Sequence, residues 1–187
     1  MKSLLISSSL WGMALHSPAQ PAVAGISATA EAYVAFTPQQ SFLRVVPVPL
    51  EQVFRAGYGL PAVTGTSVVA PWDRVGLTRR VFFSSGDSAQ ETITDYEEGR
   101  YFAYRVFDFT LAAKYVAKHA VGKWWWSVAE NGQTKIVWRY TFVTKNFLVR
   151  PLLAYFVRHR WQPYMQAAMQ RVAAAHQLPA GPLQRAQ

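Results

Sequence analysis

Apolar and polar positions alternate most strongly between Gly76 and Val106, GLTRRVFFSSGDSAQETITDYEEGRYFAYRV. A period of two over this length predicts three consecutive antiparallel strands. Turns fall at Ser85-Gly86-Asp87 and at Glu97-Glu98-Gly99-Arg100, where glycine can take the positive φ of a tight hairpin. Pairing Val81 with Glu91, and Glu91 with Val106, sorts the side chains onto two faces. One face carries Arg79, Val81, Phe83, Glu91, Ile93, Phe102, Tyr104 and Val106. The other carries Arg80, Phe82, Gln90, Thr92, Thr94, Tyr101 and Arg105. The first set is the more apolar and is expected inside, bringing Arg79, Glu91 and Tyr104 among apolar neighbours.

A third hairpin follows, with Asn131-Gly132 between Lys123–Val128 and Thr134–Val143. Asn-Gly between alternating runs is the strongest short-range hairpin signal. Pairing across it places Trp124, Trp126, Ile136, Trp138, Tyr140 and Phe142 on one face, to be buried or to enclose something. Lys123, Trp125, Lys135, Arg139 and Thr141 take the other, solvent-facing side. Residues 108–121 break the strand pattern, and Leu111, Tyr115 and Lys118/His119 suggest a short amphipathic segment or lid. From Pro151 to His176 the chain reads as one helix, kinked at Pro163. Leu153, Phe156, Val157, Trp161, Tyr164, Ala168 and Val172 form its apolar stripe, with Arg160 set inside it.

Upstream the pattern is weaker. Ile26 to Pro38 suggests a lead-in or edge strand, Ser41–Val46 a first strand, and Pro49–Phe54 a short helix. A bend through Gly57, Gly59 and Pro61 and a strand over Thr66–Ala70 then lead to Trp72. Lys2, the apolar run Leu4–Leu15 and Ala22-Val23-Ala24 have the outline of a signal peptide, although three serines interrupt it and Met13 offers an alternative start. The expected organisation is a leader at 1–25, one domain at 26–176 and a flexible tail at 177–187. A cytoplasmic location is favoured, with a periplasmic or secreted one if the leader directs export.

The chain has 187 residues, 51% of them hydrophobic and 14% aromatic, which suits one folded domain with a substantial core. No cysteine is present, so disulfides and thiolate metal sites are excluded. His16, His119, His159 and His176 lack metal-site spacing, and neither metal nor cofactor is expected. The net charge of +9 is uneven: residues 1–109 hold 8 Lys/Arg and 9 Asp/Glu, residues 110–187 hold 11 Lys/Arg and Glu130 alone. A basic half of this kind attracts phosphates, anionic lipid headgroups or anionic ligands, or is simply solvated. There is no phosphate-cradling glycine loop, nucleophile elbow or HExxH motif.

Arg79, Glu91 and Tyr104 are the leading site candidates. A buried carboxylate has to be paired or hydrogen-bonded, because desolvating a lone charge is very costly. One reading is a cross-strand Arg79–Glu91 pair that fixes the sheet, with Tyr104 donating its hydroxyl. Another is a polar floor that orients a ligand carbonyl or hydroxyl. A third is catalysis, with Glu91 abstracting a proton and Arg79 stabilising an enolate. Asp95 is expected to be solvated and His119 to be a surface histidine.

The residue pattern resembles the SRPBCC superfamily, which includes START lipid-binding domains, birch-pollen-allergen-like proteins and polyketide cyclase/dehydrase-like proteins. The resemblance is carried by Gly76-x-x-Arg79-x-Val81-x-Phe83, Gly86, Glu91, Phe102-Ala103-Tyr104-Arg105-Val106 and Trp124-x-Trp126. It continues through Gly132-x-Thr134-x-Ile136-x-Trp138-x-Tyr140-x-Phe142 and Trp161-x-x-Tyr164-Met165, covering about Phe42 to Val172. It implies an α+β helix-grip fold: a curved antiparallel sheet around a long C-terminal helix, with two short helices after the first strand and an apolar cavity between sheet and helix. Cavity-lining residues would be Arg79, Val81, Phe83, Glu91, Ile93, Tyr104, Trp124, Trp126, Trp138, Tyr140, Phe156 and Arg160. The bacterial branch most similar to this chain consists mainly of uncharacterised cyclase-like proteins, and the resemblance implies a cavity without implying a reaction.

Three functions compete on this reading. The first is a carrier or sensor of a lipid, sterol-like or polyketide/aromatic molecule, driven by burial of apolar area at roughly 25 cal/mol per Å². The second is a cyclase or dehydratase using Glu91. The third is association of the basic half with an anionic membrane, through Lys114, Lys118 and Lys123 beside Trp125. Nucleic acid ranks last, since no recognition motif for it is present, and oligomeric state is left open.

Overall fold

The computed structural model describes residues 25–68 and 71–177, with side chains through residue 175. Residues 1–24 of the leader, with Met13 and His16, the end of the strand expected over Thr66–Ala70, the His176 side chain and the tail after Gln177 lie outside the described residues. Seven strands form one antiparallel sheet in the order β1-β7-β6-β5-β4-β3-β2. They span β1 Ile26–Val34, β2 Val63–Thr66, β3 Thr78–Phe83, β4 Ser88–Glu97, β5 Tyr101–Phe107, β6 Ala117–Val128 and β7 Thr134–Thr144. The concave side wraps the C-terminal helix, which is the helix-grip arrangement.

β3, β4 and β5 form the expected meander, and its inner face is the expected one: Arg79, Val81, Glu91, Ile93, Phe102, Tyr104 and Val106 are all buried. The first hairpin register differs by two residues. Arg79, not Val81, stands opposite Glu91, while Glu91 opposite Val106 is observed. The cause is a turn that closes one residue earlier, over 84–86, in which Phe83 N–H donates to Asp87 O and Gly86 takes φ 83°. A shift of two leaves every side chain on its face. On the β6–β7 hairpin, Trp124 opposes Trp138 and Trp126 opposes Ile136, all buried.

The N-terminal part departs further from expectation. Residues 41–46 are not a strand but the body of helix α1 (Pro38–Val45) and its cap. Thr37 and Gln40 form a reciprocal capping box and Pro38 occupies the first turn, which nucleates a helix despite the β-branched residues that follow. Phe42, Val45 and Val46 then bury on one side at helical spacing. The first strand is instead β1, at the sheet edge and paired along its whole length with β7. Helix α2 (Leu50–Val53) is the expected short turn. The strand expected at Thr66–Ala70 lies earlier, where Val63 pairs with Phe83.

The segment expected as a lid is one helical turn, α3 (Ala113–Val116), and β6 starts straight after it. Lys118 and His119 are therefore strand residues, beside a bulge between Ala117 and His119. The C-terminal helix is α4 (Arg150–Phe156), a π-helical turn (Val157–Trp161) and α5 (Gln162–Gln177). Pro163 has no N–H to donate, and the helix widens just before it, with Gln162 N–H reaching Val157 O. Leu153, Val157, Tyr164, Met165, Ala168, Met169 and Val172 bury against the sheet. Among the described residues no helix is long and apolar enough to cross a membrane.

Candidate functional site

Between the sheet and the C-terminal helix lies a cavity of about 600 Å³. β3 contributes Arg79, Val81 and Phe83, β4 Glu91, β5 Tyr104, β6 Trp124 and Trp126, and β7 Trp138 and Tyr140. Phe156 of α4 and Arg160 of the π-helical turn close the helix side. Ile93 is the exception among the expected lining residues. It points to the same sheet face but is 1% exposed, packed fully into the core behind the wall.

Aromatic stacking shapes the wall. Trp138 stacks on Trp124 with ring centroids 4.8 Å apart, and Trp124 on Trp126 at 6.0 Å. Tyr140 meets Trp161 at 4.6 Å, joining sheet to helix. Between Tyr104 and Tyr140 the register places Gly122, and a Cβ there would collide with the Tyr104 ring. Glycine at this point lets the Tyr104 ring lie across β6.

Charge in the cavity is paired. Arg79 and Glu91 face each other across β3 and β4, and Arg79 Nε donates to Glu91 Oε1 at 2.5 Å with both side chains under 10% exposed. The guanidinium also covers the Trp72 ring, 4.1 Å from its centroid. Burial raises the Glu91 carboxyl above its ordinary value, and Arg79 offsets only part of that rise. Burial likewise holds the Tyr104 phenol far above its usual range, with the Glu91 charge adding to it and the Trp124 and Trp138 indoles easing it. Tyr140 is raised by burial and then by Tyr104 and Glu91. Both phenols therefore stay protonated at neutral pH and can donate to a ligand oxygen.

The mouth gathers at one end of the sheet. The β3–β4 turn, the β5–α3–β6 connection and the β7–α4 connection all lie there, because the intervening strands are antiparallel. Ser85, Asp87, Phe109, Leu111, Ala112 and Ala113 line this rim. Asp87 is engaged locally, accepting from Ser85 and from Thr110. Arg160 reaches across the mouth to donate to Tyr58 O at 3.1 Å, over Gly59, where a Cβ would obstruct the guanidinium. Tyr58 holds φ 55°, an uncommon conformation for a tyrosine, so this loop is shaped around that contact.

Several wall residues were not singled out as lining from the sequence. Trp72 sits in a loop between Pro71 and Asp73, with no periodic neighbours to give its direction away. Val45 and Val46 belong to the region expected as a strand, and Val53 and Phe54 to the short helix before the bend. Trp161 and Tyr164 carried the only available signal, the helical stripe. Other candidates lie elsewhere. Lys123 and Trp125 are on the outer sheet face, where Trp125 packs on Tyr101 at 5.6 Å. Asp95 is half-buried at a bulge in β4. His119 is also half-buried, and burial, with Arg105 and Lys118 nearby, lowers its pKa. Among the described residues no cluster of His, Asp and Glu could hold a metal ion.

The family model described as polyketide cyclase / dehydrase and lipid transport matches residues 41–177. Among solved structures, ginseng major latex-like protein 151 from Panax ginseng superposes with a TM-score of 0.58 at 14% identity, covering 82% of this chain and 97% of that one. An uncharacterised Bacillus thuringiensis protein gives 0.56 at 13% identity, over 81% and 99% of the two chains. A Mycobacterium smegmatis protein gives 0.56 at 15% identity, over 81% and 90%. At such identities the likeness establishes a shared fold. Among curated protein sequences none matches significantly.

Proposed function

The chain belongs to the polyketide cyclase / dehydrase and lipid transport family, and we propose that it is a carrier or sensor holding a hydrophobic small molecule in the cavity between sheet and C-terminal helix. The observation that carries this reading is a cavity of about 600 Å³ whose wall is mostly aromatic and aliphatic and whose central charges neutralise each other. That volume suits a drug-sized lipid, sterol-like or polyketide/aromatic ligand. Tyr104 and Tyr140, held protonated by burial, would donate to a carbonyl or hydroxyl oxygen and set the ligand's orientation.

Carrier fits better than enzyme because, among the described residues, the carboxylates in the lining are Glu91 and Asp87, both engaged by protein partners. The test is tryptophan fluorescence titration with representative lipids, sterols and aromatic polyketides. Saturable quenching is expected, and Ala112→Trp at the rim should block it while leaving the fold intact. Titrations that never saturate with any class would overturn the carrier reading.

One observation favours the cyclase/dehydratase reading: a carboxyl with a raised pKa in a ligand cavity is what a general acid needs. Glu91→Gln separates the two. Turnover lost with binding retained would establish catalysis, whereas binding with no turnover in either protein supports the carrier.

A further inference from the structure

The end of the sheet that carries the cavity mouth is also where large apolar side chains stand in solvent. Phe147 and Leu148, in the loop from β7 to α4, are 79% and 73% exposed. Tyr115 of α3, and Leu152 and Tyr155 of α4, are each above 60%. These five belong to one surface, because Lys145 N–H donates to Val116 O at 3.0 Å and α3 packs on α4. Contiguous apolar exposure of this kind marks an interaction site.

Around the patch stand Lys114, Lys118, Lys145, Arg150 and Arg158, all exposed. The acidic residues at this end are engaged elsewhere: Asp108 with Arg80 and Gln90, Asp87 with Ser85 and Thr110. Glu130, the one acidic residue after position 109, sits in the β6–β7 turn at the opposite end. Apolar tips inside a ring of cations are what an anionic membrane surface recognises, since the tips enter the headgroup–acyl boundary and the cations meet phosphate.

We propose that this end docks on an anionic lipid bilayer, with Phe147 and Leu148 inserted and the cavity mouth turned toward the membrane. A second copy of the chain is the poorer occupant, since self-association would set one cationic ring against another. Of the cations expected to bind membrane, Lys114 and Lys118 belong to this surface. Lys123, with Trp125, lies on the outer sheet face. Docking does not depend on what fills the cavity; only its use, ligand exchange with the bilayer, rests on the carrier reading.

Vesicle flotation of the full chain tests it, using phosphatidylcholine alone and phosphatidylcholine with about 30 mol% phosphatidylglycerol, enough anionic lipid to attract polybasic segments. Flotation is expected with the anionic vesicles only, falling steeply as salt is raised. Phe147→Ser with Leu148→Ser should weaken it at least about tenfold, and Lys145→Glu with Arg150→Glu should do so more strongly. Circular dichroism on each variant confirms that the fold survives. Equal flotation with neutral vesicles, none with anionic vesicles, or wild-type binding by either variant would overturn the proposal. So would a dimer that the Phe147/Leu148 variant dissolves. A failure here with saturable ligand titrations intact leaves the cavity reading standing.

Discussion

The cavity wall and the cavity mouth treat the same residue types in opposite ways. In the wall, rings stack on one another and the ion pair satisfies itself, so that Arg79 and Glu91 are held by their partners and nearly sealed from water. At the mouth, Phe147, Leu148, Tyr115 and Tyr155 face outward and the cations beside them have solvent around them. A buried charge has to be answered within the protein, whereas an exposed cation needs no partner until one arrives. The wall is thus built for stability and shape, the mouth for encounter.

The largest test of that contrast is to break the buried pair. Glu91→Ala should destabilise the fold by about 3–5 kcal/mol, because it strands the Arg79 guanidinium. Arg79→Met with Glu91→Met should recover most of that loss; urea unfolding of the two variants measures both. If the double variant is as unstable as the single one, the pair contributes more than mutual neutralisation. Next comes Gly122→Ala, whose Cβ would push into the Tyr104 ring. A loss of about 1–3 kcal/mol is expected, along with weaker ligand quenching as Tyr104 is displaced.

A pH series probes the buried carboxyl itself. Burial raises Glu91 in the native state. Its proton therefore stabilises the fold, fully below the ordinary carboxyl value of about 4.3, and that contribution is lost as pH rises through the raised native value. Wild type should gain on Glu91→Gln as pH falls through this window, by comparison of urea midpoints; no relative change would place the carboxyl in water. His119 has the opposite sign, since its lowered value contributes stability above about pH 6.5 that is lost as pH falls through the native value. The smallest effect belongs to the mouth: Phe147→Ser with Leu148→Ser should change stability by no more than about 0.5 kcal/mol, measured by thermal unfolding.

The inner face of the sheet was legible because its alternation spans three hairpin turns, each with a glycine, so Arg79, Glu91, Tyr104 and the tryptophans could be placed together. The pairing of β3 with β4 was not, since moving the turn by one residue shifts the register by two without disturbing the pattern. Phe42 and Val45 read as strand because their β-branched and aromatic neighbours outweigh a capping box only four residues long. Trp72 and the mouth were hidden for a different reason. Irregular segments have no period, so the direction of Trp72, and the convergence of Tyr115 with Phe147, exist only in three dimensions. Ile93 shows the converse: correct face, yet too deep to reach the cavity.

Whether the cavity carries a ligand is read directly by native mass spectrometry of the purified full chain, followed by organic extraction. An adduct of a size that about 600 Å³ can hold is expected, released by solvent and identified as a lipid, sterol-like or aromatic compound. Ala112→Trp should carry less of it. A protein that is always free of adduct, and that takes up none of these compounds when they are supplied, would contradict the carrier reading.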